Sequence, residues 1–174
     1  MDLGLRGKAA VVSGSTAGIG LAIATALAAE GAKVVVNGRT EARVAAALDR
    51  IRQRVANAEL RGVAADLGTA NGVDAFLKQV AEADVLVNNL GIFEAKPFAE
   101  ISDADWMRLF EVNVLSAVRL TTKIFAGNAE EKLGPRHFHF QRIWPARSSE
   151  TIPYAKEANG PRLAGTCHRG HGRS

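Results

Sequence analysis

The sequence predicts an α/β fold, a doubly wound parallel sheet with helices on both faces, and three observations predict it. Short apolar runs alternate with longer stretches whose apolar residues recur at helical spacing. The short runs are continuously apolar, as expected of strands covered on both faces. A glycine-rich turn, Ser13-Gly14-Ser15-Thr16-Ala17-Gly18-Ile19-Gly20, joins the first run to the first helical stretch. Alternation at this length means βαβ units with right-handed crossovers, and an expected half-sheet in the order 3-2-1-4.

Each element has its own signal. Residues 8–13 contain Ala9-Ala10-Val11-Val12 and read as a buried first strand. A helix follows over 18–30, with Gly31 placed to end it. The Val-rich stretch 33–37 is the second strand. Thr40 can cap a helix running to about residue 56, whose Val44, Ala47, Leu48, Ile51 and Val55 share one face. Residues 60–64 form the third strand. A short helix over 71–81 turns Val73, Phe76, Leu77 and Val80 inward. Residues 85–88 form the fourth strand. Ser102 caps one long helix whose broad inner face is Trp106, Leu109, Phe110, Val114, Ala117, Val118 and Thr121.

The turn is the candidate binding site. Glycines let the backbone bend sharply and approach a ligand closely. The amides that open the following helix, with the helix dipole behind them, suit a phosphate. The same letters could serve a plain turn, but the flanking strand and helix are the context that phosphate binding needs. At the end of the second strand, Asn37-Gly38-Arg39-Thr40, the acid that would take the adenosine ribose hydroxyls is missing. Arg39 follows instead, and its charge and forked donors suit a 2′-phosphate. NADP(H) is therefore expected in preference to NAD(H).

These residues resemble the short-chain dehydrogenase/reductase family, in particular its 3-oxoacyl-carrier-protein reductases. That family has Thr-Gly-x-x-x-Gly-x-Gly at the turn, with Ser13 here in place of Thr. Asp66-Leu67, Asn88-Asn89-Leu90-Gly91 and Asn113 match in order, with Leu90 in place of the usual Ala. The resemblance covers about residues 5–132 and implies a Rossmann-type sheet, an oxidoreductase and hydride exchange with a small carbonyl or alcohol. It implies a cofactor set of Gly14, Ser15, Thr16, Gly18, Ile19, Gly20, Arg39, Asp66, Leu67, Asn89 and Gly91. Asp66 would meet the adenine, and Asn113 would support a proton relay. A homo-oligomer is expected of the intact family.

The family's catalytic block is a Ser followed by Tyr-x-x-x-Lys. Here Tyr154 is followed by Lys156, with Ala158 where the Lys belongs, and Ser148 and Ser149 lie too close to Tyr154. Catalytic candidates are thus Asn113, Tyr154 and Lys156, without an intact pattern. A spacing of two on a helix points Tyr and Lys apart.

The chain divides at about residue 132. An NADP(H)-binding domain over 1–132 precedes an irregular basic tail over 133–174, and the C-terminal part of the sheet is expected to be incomplete. The tail has seven Lys and Arg against two Glu, a charge of +5, plus all four His, while residues 1–132 carry −1, so the chain's net charge of +4 comes from the tail. Gly, Pro, Arg and His interrupt every apolar pattern in it. Codons permitting residues 133–146 also permit, one base forward, Trp-Gly-Arg-Val-Ile-Phe-Ile-Ser-Ser-Glu-Ser-Gly-Leu-Gln. That string resembles the family's fifth strand and catalytic Ser segment, with a Ser at position 141, thirteen before Tyr154. The expectation is a truncated or frameshifted reductase, inactive as written. The alternative is a non-catalytic nucleotide-binding protein with a basic interaction tail.

Composition bounds the rest. Hydrophobic residues are 47% and charged residues 23%, as in globular domains. There is no apolar run of membrane-spanning length and no signal segment in the first residues, so no membrane partner is expected. The single Cys167 cannot pair internally, and a cytoplasmic setting fits. Cys167, His168 and His171 offer at most three ligands in one loop, so no metal is expected. The tail lacks aromatic interleaving, and no nucleic-acid partner is expected.

Overall fold

The computed structural model describes residues 3–80, 82–126 and 137–140. Its strands are β1 (Ala9–Val12), β2 (Lys33–Gly38), β3 (Leu60–Ala64), β4 (Val85–Asn88) and β5 (His137–Phe140). Its α-helices are α1 (Gly18–Ala29), α2 (Glu41–Arg52), α3 (Ala70–Leu77), α4 (Asp103–Phe110) and α5 (Ser116–Ala126). The sheet is wholly parallel in the order β3-β2-β1-β4-β5, so the 3-2-1-4 half-sheet stands as expected.

The period-two geometry of a strand sends successive side chains to opposite faces, and this separates two cores. Ala10, Val12, Val34, Val36, Val85 and Val87 pack on one face with Leu21, Ala24 and Ala28 of α1 and Ala47 and Ile51 of α2. Val11, Val63 and Leu86 pack on the other with Val73 and Phe76 of α3 and Leu120 and Ile124 of α5. A continuous apolar strand is what such double cover requires.

Three expectations change. The strand β5 lies parallel to β4, with Val85 opposite His137 and Asn88 opposite Phe140. The outer edge of β4 is therefore paired, where the broken apolar pattern of the tail suggested an open edge. Ladder bonds come from the backbone, and a short strand forms from a sequence without a legible apolar run. The rest of the tail, including Tyr154, Lys156, Cys167 and the shifted-frame Ser position, lies outside the described residues. Second, α2 ends at Arg52 and α3 at Leu77, each earlier than its apolar spacing suggested.

Third, the long helix is not continuous. A π-helical turn, Glu111–Leu115, separates α4 from α5. One extra residue in a turn rotates the following face by roughly 100°. Val114 and Ala117 are buried as expected, but the inner face continues through Leu120 and Ile124. Phe110 and Val118, assigned inward from an unbroken period, are 42% and 51% exposed. Among the described residues, no helix is long and apolar enough to cross a membrane.

Candidate functional site

The turn sits at the C-terminal edge of the sheet, between β1 and α1. Gly14 and Gly18 take φ of +60° and +55°, the left-handed region that side chains resist. Gly20 is needed for a different reason. A Cβ there would stand 2.6 Å from the Gly14 carbonyl oxygen and collide with the Asn89 amide, so α1 closes directly on the turn.

Three polar side chains hold the turn in shape, those of Ser13 and Asn37 buried and that of Asn89 partly so. Ser13 Oγ donates to the Val87 carbonyl at 3.3 Å and accepts from the Asn89 and Leu90 amides at 2.9 and 3.0 Å. It uses the full capacity of a hydroxyl, which is why Ser replaces Thr here without a lost bond. Asn89 Nδ2 donates to the Ser13 and Gly14 carbonyls at 3.0 and 2.9 Å. Asn37, at 1% exposure, accepts from the Gly14 amide at 3.1 Å and donates to the Val63 and Ala65 carbonyls at 3.2 and 3.1 Å. It thereby ties the turn to β2 and β3 at once. Sequence reasoning placed Asn37 only as a strand end.

The expected cofactor residues divide by where they point. Thr16, Gly18 and Ile19 lie toward the surface of the turn, and Ile19 is half-exposed. Ser15 instead is buried. Its hydroxyl donates to the Val12 carbonyl at 2.7 Å and accepts from the Asn37 amide at 2.9 Å, so it braces the turn from within. The Leu67 side chain belongs to the α3 and α5 core and is fully buried. Asp66 is exposed, with Oδ1 accepting from the Gly68 amide at 3.0 Å. Gly91 follows β4 and Asn89 and is partly buried. Arg39 is exposed and makes no ion pair among the described residues.

The start of α1 differs from the other helix starts. Thr40, Thr69 and Ser102 each accept a backbone N–H and cap α2, α3 and α4. Ala17, at the same position on α1, supplies no such bond. Its leading amides are left without a side-chain acceptor, behind a turn with two left-handed glycines. That arrangement fits a phosphate, and the cradle is closed on its inner side by Gly20.

Asn113 lies in the π turn, buried, facing the loop after β4. Its Oδ1 accepts from the Ile92 amide at 2.8 Å and its Nδ2 donates to the Ile92 carbonyl at 3.1 Å. An Asn in mid-helix is poor on propensity. Here it replaces, for a loop residue, the paired backbone bonds of a sheet. Asn88 Nδ2 donates to Thr121 Oγ1 at 3.1 Å, binding β4 to α5, while Asn88 Oδ1 is buried without a hydrogen-bond partner among the described residues.

A second brace was not read from the sequence. Lys96 donates to Asp105 Oδ2 at 2.8 Å, and Ser102 donates to the same oxygen from its amide at 2.9 Å and its hydroxyl at 2.7 Å. These bonds, that from Lys96 first, hold the Asp105 carboxyl well below the usual carboxylate range. The same bond pushes Lys96 up. The pair fastens the loop from 91 to 101 onto the start of α4. On the far side, Lys123 of α5 donates to Asp74 of α3 and lowers its carboxyl.

Comparison with known proteins places this geometry. The short chain dehydrogenase family model matches residues 8–134. The uncharacterized oxidoreductase YvaG of Bacillus subtilis is 48% identical over 77% of this chain and 51% of its own length. The (2S)-[(R)-hydroxy(phenyl)methyl]succinyl-CoA dehydrogenase subunit BbsD of Thauera aromatica is 30% identical over 91% of this chain and 64% of its own. Among solved structures, L-sorbose reductase from Gluconobacter frateurii, complexed with NADPH and L-sorbose, superposes with a TM-score of 0.68. It is 37% identical and the match covers 73% of this chain and 49% of that one. The chain thus spans about half the length of YvaG and of the sorbose reductase.

Proposed function

The chain belongs to the short-chain dehydrogenase family, and from that premise we propose that its β1–α1 turn holds NADP(H) in preference to NAD(H). The observation that carries this is the uncapped start of α1 behind a turn braced by Ser13, Asn37 and Asn89. The α1 amides would face the pyrophosphate. Arg39, exposed and unpaired among the described residues, would meet the 2′-phosphate, and Asp66 would lie on the adenine side. When bound, the nicotinamide supplies or accepts a hydride. Asn113 fixes the loop at Ile92, which follows Asn89 and Gly91 at the same sheet edge.

The intact protein of this type would act on a small carbonyl or alcohol as a cytoplasmic homo-oligomer. The chain as written would not turn over. Tyr154 and Lys156 are two residues apart, a spacing that on a helix points them apart and leaves the Lys unable to assist proton transfer by the Tyr. The shifted-frame string over 133–146 supports a frame error near residue 132, restored before Tyr154 and lost again after it. Resequencing codons 130–174 tests it, and an unambiguous read of the present frame overturns it.

Calorimetry on the full chain tests the cofactor reading. NADPH should bind roughly ten- to a hundredfold tighter than NADH, the value of one good charged contact. Arg39→Ala should close most of that gap. Equal affinities would overturn the preference, and binding of neither would overturn the nucleotide site.

A further inference from the structure

We propose that Thr16 determines cofactor specificity by closing the acid position at the end of β2. The proposal rests on the nucleotide reading above and names the residue that enforces it. Gly38 is the last residue of β2 and is buried. Its backbone lies outside the left-handed region, so any L residue could adopt its conformation. Space forbids one. A Cβ built at Gly38 would overlap Thr16 Cγ2, with Val44 Cγ2 at 3.3 Å and Thr16 Oγ1 at 3.4 Å.

Neither Gly38 nor Val44 can yield. Gly38 pairs with Ala64 in the β2–β3 ladder, and its carbonyl accepts from the Ala65 amide at 2.9 Å. Val44 is 5% exposed in α2, packed on the sheet. Thr16 lies on the turn and is only partly buried, but it branches at Cβ, so Cγ2 moves only by a χ1 change. The obstacle meets the first side-chain atom, so Asp and Glu are excluded before their charge matters. No carboxylate can be set there to accept from the ribose hydroxyls. Arg39, one residue on, is left as the charged group at that corner. Thr16→Ser would remove the overlapping atom and keep the hydroxyl.

Four full-length chains test this: the parent, Thr16→Ser, Gly38→Asp and the double variant, each melted and titrated with NADPH and NADH. Gly38→Asp alone should lose roughly 5 °C in Tm and weaken both cofactors, as overpacking does. The double variant should regain at least half of that loss. Its NADPH-to-NADH affinity ratio should fall about tenfold below that of Thr16→Ser, the value of one hydrogen bond to a charged group. A Gly38→Asp chain that melts with the parent and turns to NADH unaided overturns the proposal, as does a double variant no more stable than Gly38→Asp. Should the Asp variants fail to fold, Gly38→Ala with and without Thr16→Ser gives the same melting comparison. A parent that binds neither dinucleotide overturns the nucleotide reading and the specificity role together. If the melting coupling survives that result, the failure lies in the cofactor reading and not in the steric contact.

Discussion

Asn37 shows how much one buried amide can carry. Its side chain meets the Gly14 amide and two carbonyls of the β3 end, all within 3.2 Å. Asn37→Ala would leave those groups unpaired in a dry place, at a cost of about 2–3 kcal/mol. A lower urea midpoint with an unchanged m-value is expected, together with weaker NADPH binding because Gly14 loses its anchor. A variant as stable as the parent would show that water replaces the amide. Nothing in the sequence distinguishes this Asn from one that merely ends a strand. The partners that define it are 23, 26 and 28 residues away. Gly18 and Gly20 were legible because turn chemistry is local. Ser15 and Leu67 were assigned to the cofactor from the motif, yet their side chains point into the protein.

At the scale of elements, the loop from 91 to 101 is held by three side-chain contacts, Asn113 on Ile92, Asp105 on Lys96 and Arg108 on Glu94. Ser102 and Asp105 form a reciprocal capping box at α4. Ser102→Ala should cost about 1 kcal/mol in urea unfolding. The clamp also has a pH window. Asp105 is depressed, so its contribution is complete above the unfolded value of about 3.9 and is lost as pH falls through the folded pKa. Lys96 is raised, so its contribution is complete below about 10.4 and is lost as pH rises through its folded value. Protease cleavage within 93–101 should therefore be equally slow at pH 5 and pH 8 once protease activity is normalised. Asp105→Asn should be cut faster at both. Equal rates for parent and variant would show that the ion pair does not restrain the loop. The π turn belongs to the same scale. Residues 102–126 carry enough apolar positions for one helix, and only the contacts of Asn113 and the burial of Leu120 and Ile124 reveal the change of phase.

For the molecule as a whole, the question is whether the sheet is closed on its β4 side. The backbone of 137–140 pairs with β4 in the written frame. The shifted-frame string would place Ile-Phe-Ile-Ser at the same positions. Because the ladder is a backbone structure, either reading can form it. Alternate amides of a strand face its neighbour and a proline has none, so one of the two adjacent variants Phe138→Pro and His139→Pro should lower Tm by several degrees. An unchanged melt in both would mean that β5 adds nothing to stability. Function separates the two frames. The written chain should bind NADPH without oxidising it on a carbonyl panel, and the frame-restored chain should turn over. Tyr154-dependent NADPH oxidation by the written chain would sink the claim of inactivity.

By itself the sequence determined the layer architecture, the strand order of the first four strands and the position of the glycine-rich turn. These rest on local period, local turn chemistry and a handedness rule, none of which needs distant partners. Tertiary structure decided what those rules leave open. It decided which polar groups of the motif turn inward to brace the turn, since that depends on groups brought together from β2, β3 and β4. It decided the phase of the broken helix, because one added residue changes the face without changing composition. It decided that β4 acquires a neighbour, because parallel pairing is made by backbone groups that every residue except proline carries in full.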